Sequence, residues 1–176
     1  DLLVLGRIKA LERSSPHDLI IVDGPAAGHA LTFLRVAHGI RGGIRTGLIA
    51  TQASEVGEFL ADHARCSVVM VTLPATTPVT ETVDTALAIE DEIGVALGPI
   101  VVNRVLPDDE TATEHSASDA LRRSAEFYRS RRHLQADSIR TLQTLLPLQQ
   151  LHLPDVSAPN VIGTLTASLL GSEVQP

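Results

Sequence analysis

Leu19-Ile20-Ile21-Val22-Asp23-Gly24-Pro25 is the stretch on which the fold turns. Four consecutive apolar residues, two of them isoleucine and one valine, predict a short strand buried on both faces. The run stops at a carboxylate, and Gly24-Pro25 then breaks the chain. Working outward, the same kind of run recurs at Ser67-Val68-Val69-Met70-Val71, at Ile100-Val101-Val102 before Asn103, and over residues 148–153. Between these runs the apolar residues fall at helical spacing. Leu2, Leu5, Ile8 and Leu11 predict a helix over 1–13, and further helices are expected over 28–38, 54–64, 80–93, 118–146 and 160–170. Ser14 to His17 reads as a turn. Residues 39–47, with four glycines and two arginines, read as a loop, as does Pro74 to Pro78. Thr77 or Thr80 with Glu81 is the expected cap of the helix that follows.

Strands alternating with helices imply βαβ crossovers and a parallel sheet. The expected fold is therefore α/β, a three-layer parallel sheet flanked by helices. The composition fits it. Hydrophobic residues make up 44% of 176 residues but aromatics only 2%, so the core has to be built from Leu, Ile, Val and Ala, the residues of strands covered by helices. The length suits one domain with a real core. A formal net charge of −7 argues against nucleic acid as a partner, because binding phosphate backbones needs a positive field. The single cysteine, Cys66, cannot form an internal disulfide or a thiolate metal site alone, and reads as a small, partly buried side chain. No apolar run approaches the roughly 18 residues of a membrane span, and the start of the chain lacks the basic and cleavage features of a signal peptide. The expected compartment is the cytoplasm, for a chain that is not itself transmembrane.

In a parallel sheet, ligands bind at the carboxyl ends of the strands. The residues there are Asp23, Thr72-Leu73-Pro74, Asn103 and Pro154-Asp155. A carboxylate at a strand tip can hold the water shell of Mg²⁺ against nucleotide phosphates. By pattern alone, however, Asp23 is equally a cap for the next turn, and Asn103 equally a turn residue. The glycine-rich stretch 39–47 is not a phosphate loop. It follows a helix rather than a strand, and it holds no lysine. The one lysine of the chain is Lys9, within a predicted helix. No histidines are paired at metal-ligand spacing. The arginines of residues 122–132 read as a solvated helix face or a surface for an acidic partner.

The run from Asp23 to Leu34, Asp-Gly-Pro-Ala-Ala-Gly-His-Ala-Leu-Thr-Phe-Leu, resembles the switch II signature of the ArsA-type ATPases, the arsenite pumps and the relatives that escort tail-anchored membrane proteins. That signature reads Asp-Thr-Ala-Pro-Thr-Gly-His-Thr-Leu-Arg-Leu-Leu. Asp23, Gly28, His29, Leu31 and Leu34 align with it. Gly24, Ala27 and Ala30 stand where it has threonine, Thr32 where it has arginine, and the proline is displaced by one position to Pro25. The order continues through Val71-Thr72-Leu73-Pro74, the Asn103-terminated strand and Leu153-Pro154-Asp155, so the resemblance runs from Leu19 to about Pro159.

The resemblance implies a partial P-loop NTPase fold, with residues 1–176 as the C-terminal part of one ATPase domain that lacks its phosphate loop. Residues 39–65 would be an insertion that binds a client or regulates. Asp23 would be the catalytic and Mg²⁺-holding residue, acting through water. Gly28 and His29 would form the switch, Asn103 would read the adenine of ATP, and Pro154 and Asp155 would cover the base. The implied cofactors are ATP and Mg²⁺. The implied partners are a related ATPase, in a homo- or hetero-dimer, and a membrane-protein or hydrophobic client. The implied activity is ATP hydrolysis driving a conformational switch, with the chain inactive in isolation. The alternative is a non-catalytic partner subunit or scaffold of an active ATPase. A partitioning or septum-placement ATPase of the same superclass is a more distant one. Arsenite as cargo is not expected, because it favours soft thiolate ligands and the chain has one cysteine.

Overall fold

A computed structural model describes residues 1–43, 47–107, 118–156 and 159–171; for residues 37–43 it describes the backbone alone. The elements in chain order are α1 (Leu2–Ser14), α2 (Ala27–Gly43), α3 (Leu48–Ala61), β1 (Ser67–Thr72), α4 (Thr76–Glu92), β2 (Ala96–Val105), α5 (Asp119–Leu145), β3 (Gln150–Pro154) and α6 (Val161–Gly171). The strands form one three-stranded parallel sheet in the order β1-β2-β3. The α/β class and the parallel sheet agree with the sequence expectation.

The chain divides into two compact units, each made from two separate stretches. The first holds Asp1–Val68 and Asp84–Leu97, the second Val69–Val83 and Gly98–Pro176.

In the first unit, α1, α2 and α3 gather around Leu5, Leu34, Val56, Phe59 and Leu60, joined by Ile89 and Ile93 from the end of α4 and the residue after it, and by Val95. Val56 is fully buried and Leu60 is 2% exposed. Burial on that scale stabilises a fold by about 1.5–3 kcal/mol per large apolar side chain. Ion pairs trim the rim: Lys9 with Glu55, Arg35 with Glu92, and the Arg65 guanidinium bidentate on Glu12 at 3.0 and 2.7 Å. The same guanidinium lies over the Phe59 ring, 5.2 Å from its centroid. Gly94, at φ +72°, ends the α4 turn by donating its N–H to the Ile89 carbonyl at 2.9 Å, a left-handed cap that glycine adopts without steric cost.

In the second unit, Ile100 and Val102 of β2 and Leu142 of α5 are wholly buried, and Val79, from the first half of α4, is 2% exposed. α6 packs on β3. Its first turn is capped by Asn160, whose Oδ1 accepts the Gly163 N–H at 3.1 Å.

Four expectations need correction. Leu19–Val22 is not a strand: it forms no ladder, and Leu19 and Ile21 are 73% and 84% exposed. Apolar, β-branched composition favours a strand only where a neighbour takes its N–H and C=O groups, and among the described residues none does. β1 is not covered on both faces. Its burial alternates, leaving Val69 and Val71 exposed, the period-two pattern of a strand with one open face. The expected loop at 39–47 is helical as far as Gly43, and residues 44–46 lie outside the described residues. Finally, α4 starts at Thr76 rather than Thr80. Pro78 is tolerated because it sits in the first turn, where its missing N–H breaks no helical bond. Thr80 and Thr82 then donate back to the carbonyls of Thr76 and Pro78, so Thr80 is a back-bonded helix residue rather than a cap.

Candidate functional site

The polar residues expected at the strand tips separate into two groups. Asn103, Pro154 and Asp155 belong to the second unit; Pro154 ends β3 and Asp155 follows it, but Asn103, expected to end its strand, lies two residues before the end of β2, which runs on to Val105. Along the ladder Val102 pairs with His152, and Val105 with Pro154. Three residues on β2 therefore span what two span on β3. The extra residue makes a bulge at Asn103-Arg104, where Arg104 takes φ +61°. Among the described residues it is the one non-glycine with positive φ, and bulges of this kind re-aim side chains at the end of a strand.

A network of bonds holds the bulge. The Arg104 N–H donates to Asn103 Oδ1 at 2.9 Å, which fixes which end of the carboxamide is oxygen. Arg104 Nε donates to Asp155 Oδ1 at 3.2 Å, and the Asp155 N–H donates to the Val105 carbonyl at 2.8 Å, extending the ladder past its last residue. From α5, Gln135 grips the segment twice. Its Oε1 accepts the Leu106 N–H at 2.9 Å, and its Nε2 donates to the Arg104 carbonyl at 3.2 Å. The Tyr128 hydroxyl, about two turns earlier on the same helix, donates to the Pro107 carbonyl at 3.3 Å. Asn103 and Asp155 are half-buried, Arg104 exposed. Arg104, Gln135 and Tyr128 escaped the sequence reading. Arg104 could have been found as the neighbour of Asn103. Gln135 had no signal, since a glutamine on a solvated helix is ordinary.

Asp23, Gly28 and His29 belong to the first unit. Asp23 follows the unpaired Leu19–Val22 segment, ahead of α2. Gly28 and His29 lie in the first turn of that helix, where the His29 and Ala30 N–H groups both donate to the Ala26 carbonyl at 2.8 and 2.9 Å. All three residues are exposed. An exposed single carboxylate suits a water-mediated hold on Mg²⁺, an ion that keeps several of its waters and takes one or two protein carboxylates. Among the described residues no three His, Cys, Asp or Glu gather as a closed metal cage. Lys9 is held by Glu55 across α1 and α3. A groove of about 280 Å³ in the second unit is lined by Thr76, Val79, Thr80, Leu134, Asp137, Ser138 and Thr141. Its lining includes none of the strand-tip residues, and Thr80, Ser138 and Thr141 already donate to carbonyls of their own helices.

Two side chains have shifted acidity through burial. The half-buried Cys66 thiol is pushed above its usual range, and the His152 imidazole on β3 is pushed below its own.

The fold and the strand tips together define a parallel α/β protein with a carboxamide, a proline and a carboxylate gathered where such sheets bind ligands. The sequence relationship points the same way. Over 101 residues, 53% of this chain, it is 28% identical to a protein of Halobacterium salinarum named "Putative arsenical pump-driving ATPase", and so resembles the ArsA-type ATPases. The matched stretch is 16% of that protein's length. No family model matches the chain. Among the described residues no helix is long and apolar enough to cross a membrane.

Proposed function

We propose that this chain contributes the base-binding and switch portion of an ATP-driven conformational switch of the ArsA type. The observation that carries the reading is the ladder register, which sets Asn103 and its bulge alongside Pro154 and Asp155 toward the carboxyl ends of adjacent parallel strands. A carboxamide of fixed orientation both accepts and donates. Oδ1, with one lone pair engaged by Arg104, can still accept from the adenine amino group, and Nδ2 can donate to a ring nitrogen. Guanine offers a carbonyl oxygen in place of that amino group, and Oδ1 would repel it. Pro154 supplies a rigid apolar backbone beside the base. Asp23 would hold Mg²⁺ through its water shell; when bound, the ion neutralises phosphate charge. The turn at Gly28-His29 would carry the change at the phosphates into α2.

The 176 residues contain no Gly-Lys-Ser/Thr loop, and their one lysine is engaged by Glu55. Phosphoryl transfer depends on positioning and charge neutralisation, so turnover requires phosphate-binding groups supplied by other sequence. The unpaired Leu19–Val22 segment supports the same view, since its backbone groups would be satisfied by a strand from outside the described residues. That engagement of Lys9 also favours a second reading, a subunit that binds nucleotide or merely pairs with an active relative and does not hydrolyse. The arsenical cargo in the relative's name is not carried over, because one cysteine offers no thiolate cage.

Nucleotide titration of the chain, with and without Mg²⁺, tests the proposal. ATP should bind more tightly than GTP by about tenfold, a preference of about 1.4 kcal/mol, and N103A should abolish the difference. Phosphate release by the isolated chain should stay at background. Equal affinity for the two nucleotides would remove the base-reading role, and vigorous Mg²⁺-dependent turnover would show that the catalytic groups lie elsewhere in these residues.

A further inference from the structure

We infer that Gln135, on α5, is the positioning residue of the base-reading strand tip. The inference rests on the adenine role proposed for Asn103. The Arg104 N–H that orients the Asn103 carboxamide belongs to the peptide unit between the two residues, and φ +61° at Arg104 sets how that unit joins the segment that follows. A residue with a side chain does not hold that conformation unaided. What holds it is a bond on each side of the next peptide units. Gln135 Nε2 donates to the Arg104 carbonyl at 3.2 Å, and Gln135 Oε1 accepts the Leu106 N–H at 2.9 Å. One carboxamide thus clasps the main chain at two points two residues apart. Only a side chain that donates and accepts at once can do this, and of the residues that can, glutamine has the reach from a helix. The Leu106 N–H lies past the last ladder pair, Val105 with Pro154, where no further pair of β2 with β3 follows. The Tyr128 hydroxyl on the Pro107 carbonyl, seven residues earlier on the same helix, fastens the next link of the segment. α5 is therefore a splint for residues 104–107.

The test uses the full chain, isotopically labelled, with Q135A and Q135E. In Q135A the Leu106 amide should exchange with solvent about tenfold faster, the effect of removing one net hydrogen bond, while the Ile100 amide keeps its protection from the Gln149 carbonyl. Q135E retains the acceptor and loses the donor. It should restore Leu106 protection and still shift the Asn103 side-chain amide signals, a split that mere loosening of α5 would not produce. Unchanged Leu106 exchange in Q135A would overturn the clasp. Adenosine titration then separates the clasp from the site it serves. Movement of the Asn103 side-chain signals in the native chain, weakened several-fold in Q135A, supports the positioning role. Equal movement in both overturns that role. No movement in the native chain, with Leu106 exchange still raised in Q135A, overturns the base-reading role of Asn103 and leaves Gln135 a residue of the fold alone.

Discussion

Arg104 holds a conformation that costs a residue with a side chain roughly 1–3 kcal/mol. Three bonds, to Asn103, Asp155 and Gln135, offset that cost, and two of those partners are the residues proposed to meet the nucleotide base. Strain stored beside polar groups at the carboxyl end of a parallel strand is the local signature of a built site rather than of a turn chosen for convenience. Cys66 shows the opposite case. Its thiol, half-buried at the start of β1, is pushed up by desolvation, with the Arg65 guanidinium only partly countering it. Thiolate, not thiol, is the nucleophile. Iodoacetamide at pH 8 should therefore modify Cys66 several-fold more slowly than a free cysteine, and unfolding in denaturant should abolish the difference. Modification at the free-thiol rate would show that the side chain is accessible. The same chemistry argues against a metal or redox duty for this residue.

The elements differ in how much of their stability is local. α6 is apolar, yet none of its residues is buried and Ile162 is 82% exposed, so its start depends heavily on its cap. Asn160 Oδ1 takes the Gly163 N–H, and Gly163, lacking a Cβ, leaves room for the Asn160 side chain, which a Cβ would meet at 2.5 Å. N160A should cost about 1 kcal/mol, and N160S or N160D much less, read as loss of amide protection in the first turn of α6. The sequence revealed elements well where their causes are local. The runs at 67–71 and 100–102 and the helical spacing of 1–13 all announce structures that formed. It misled at Leu19–Val22, whose residues are as strand-like as those of β2, because pairing is a property of the neighbour and not of the run. It missed the extension of α2 to Gly43, because glycine and arginine counts mark flexibility without excluding a helix. At the site, Pro154 and Asp155 were legible as strand-end residues, whereas β2 continues past Asn103 to Val105 because its ladder resumes after the bulge. Gln135 was not legible, since its bonds reach 29 and 31 residues back along the chain.

For the whole molecule, the electrostatics all lean one way in acid. Glu12, hydrogen-bonded by Arg65, and Glu55, hydrogen-bonded by Lys9, have carboxyls held below the usual value of 4.5. A carboxyl lowered in the folded state contributes stability above the unfolded value and loses it as the pH falls through the folded one. His152, lowered from 6.5 by burial, prefers to stay neutral, so its protonation in acid also favours the unfolded chain. Stability should decline as pH falls below about 6.5 and again below about 4.5. E12Q should be less stable than the native chain at pH 7 and indistinguishable from it well below 4.5, when unfolding midpoints are compared. A constant difference at every pH would assign the effect to packing. Because these pairs are exposed, added salt should shrink it as well.

The interleaving of the two units has a consequence for dissection. The first is assembled from residues 1–68 and 84–97, the second from 69–83 and 98–176, and the boundary between them passes through β1, α4 and β2. No single scission therefore separates the two cleanly: a cut after Leu97 keeps the first whole but carries residues 69–83 of the second with it, and a cut after Val68 keeps the second whole but carries residues 84–97 of the first. Limited proteolysis should give fragments that stay associated until denatured. Expression of either half alone would leave the other unit without one of its two stretches.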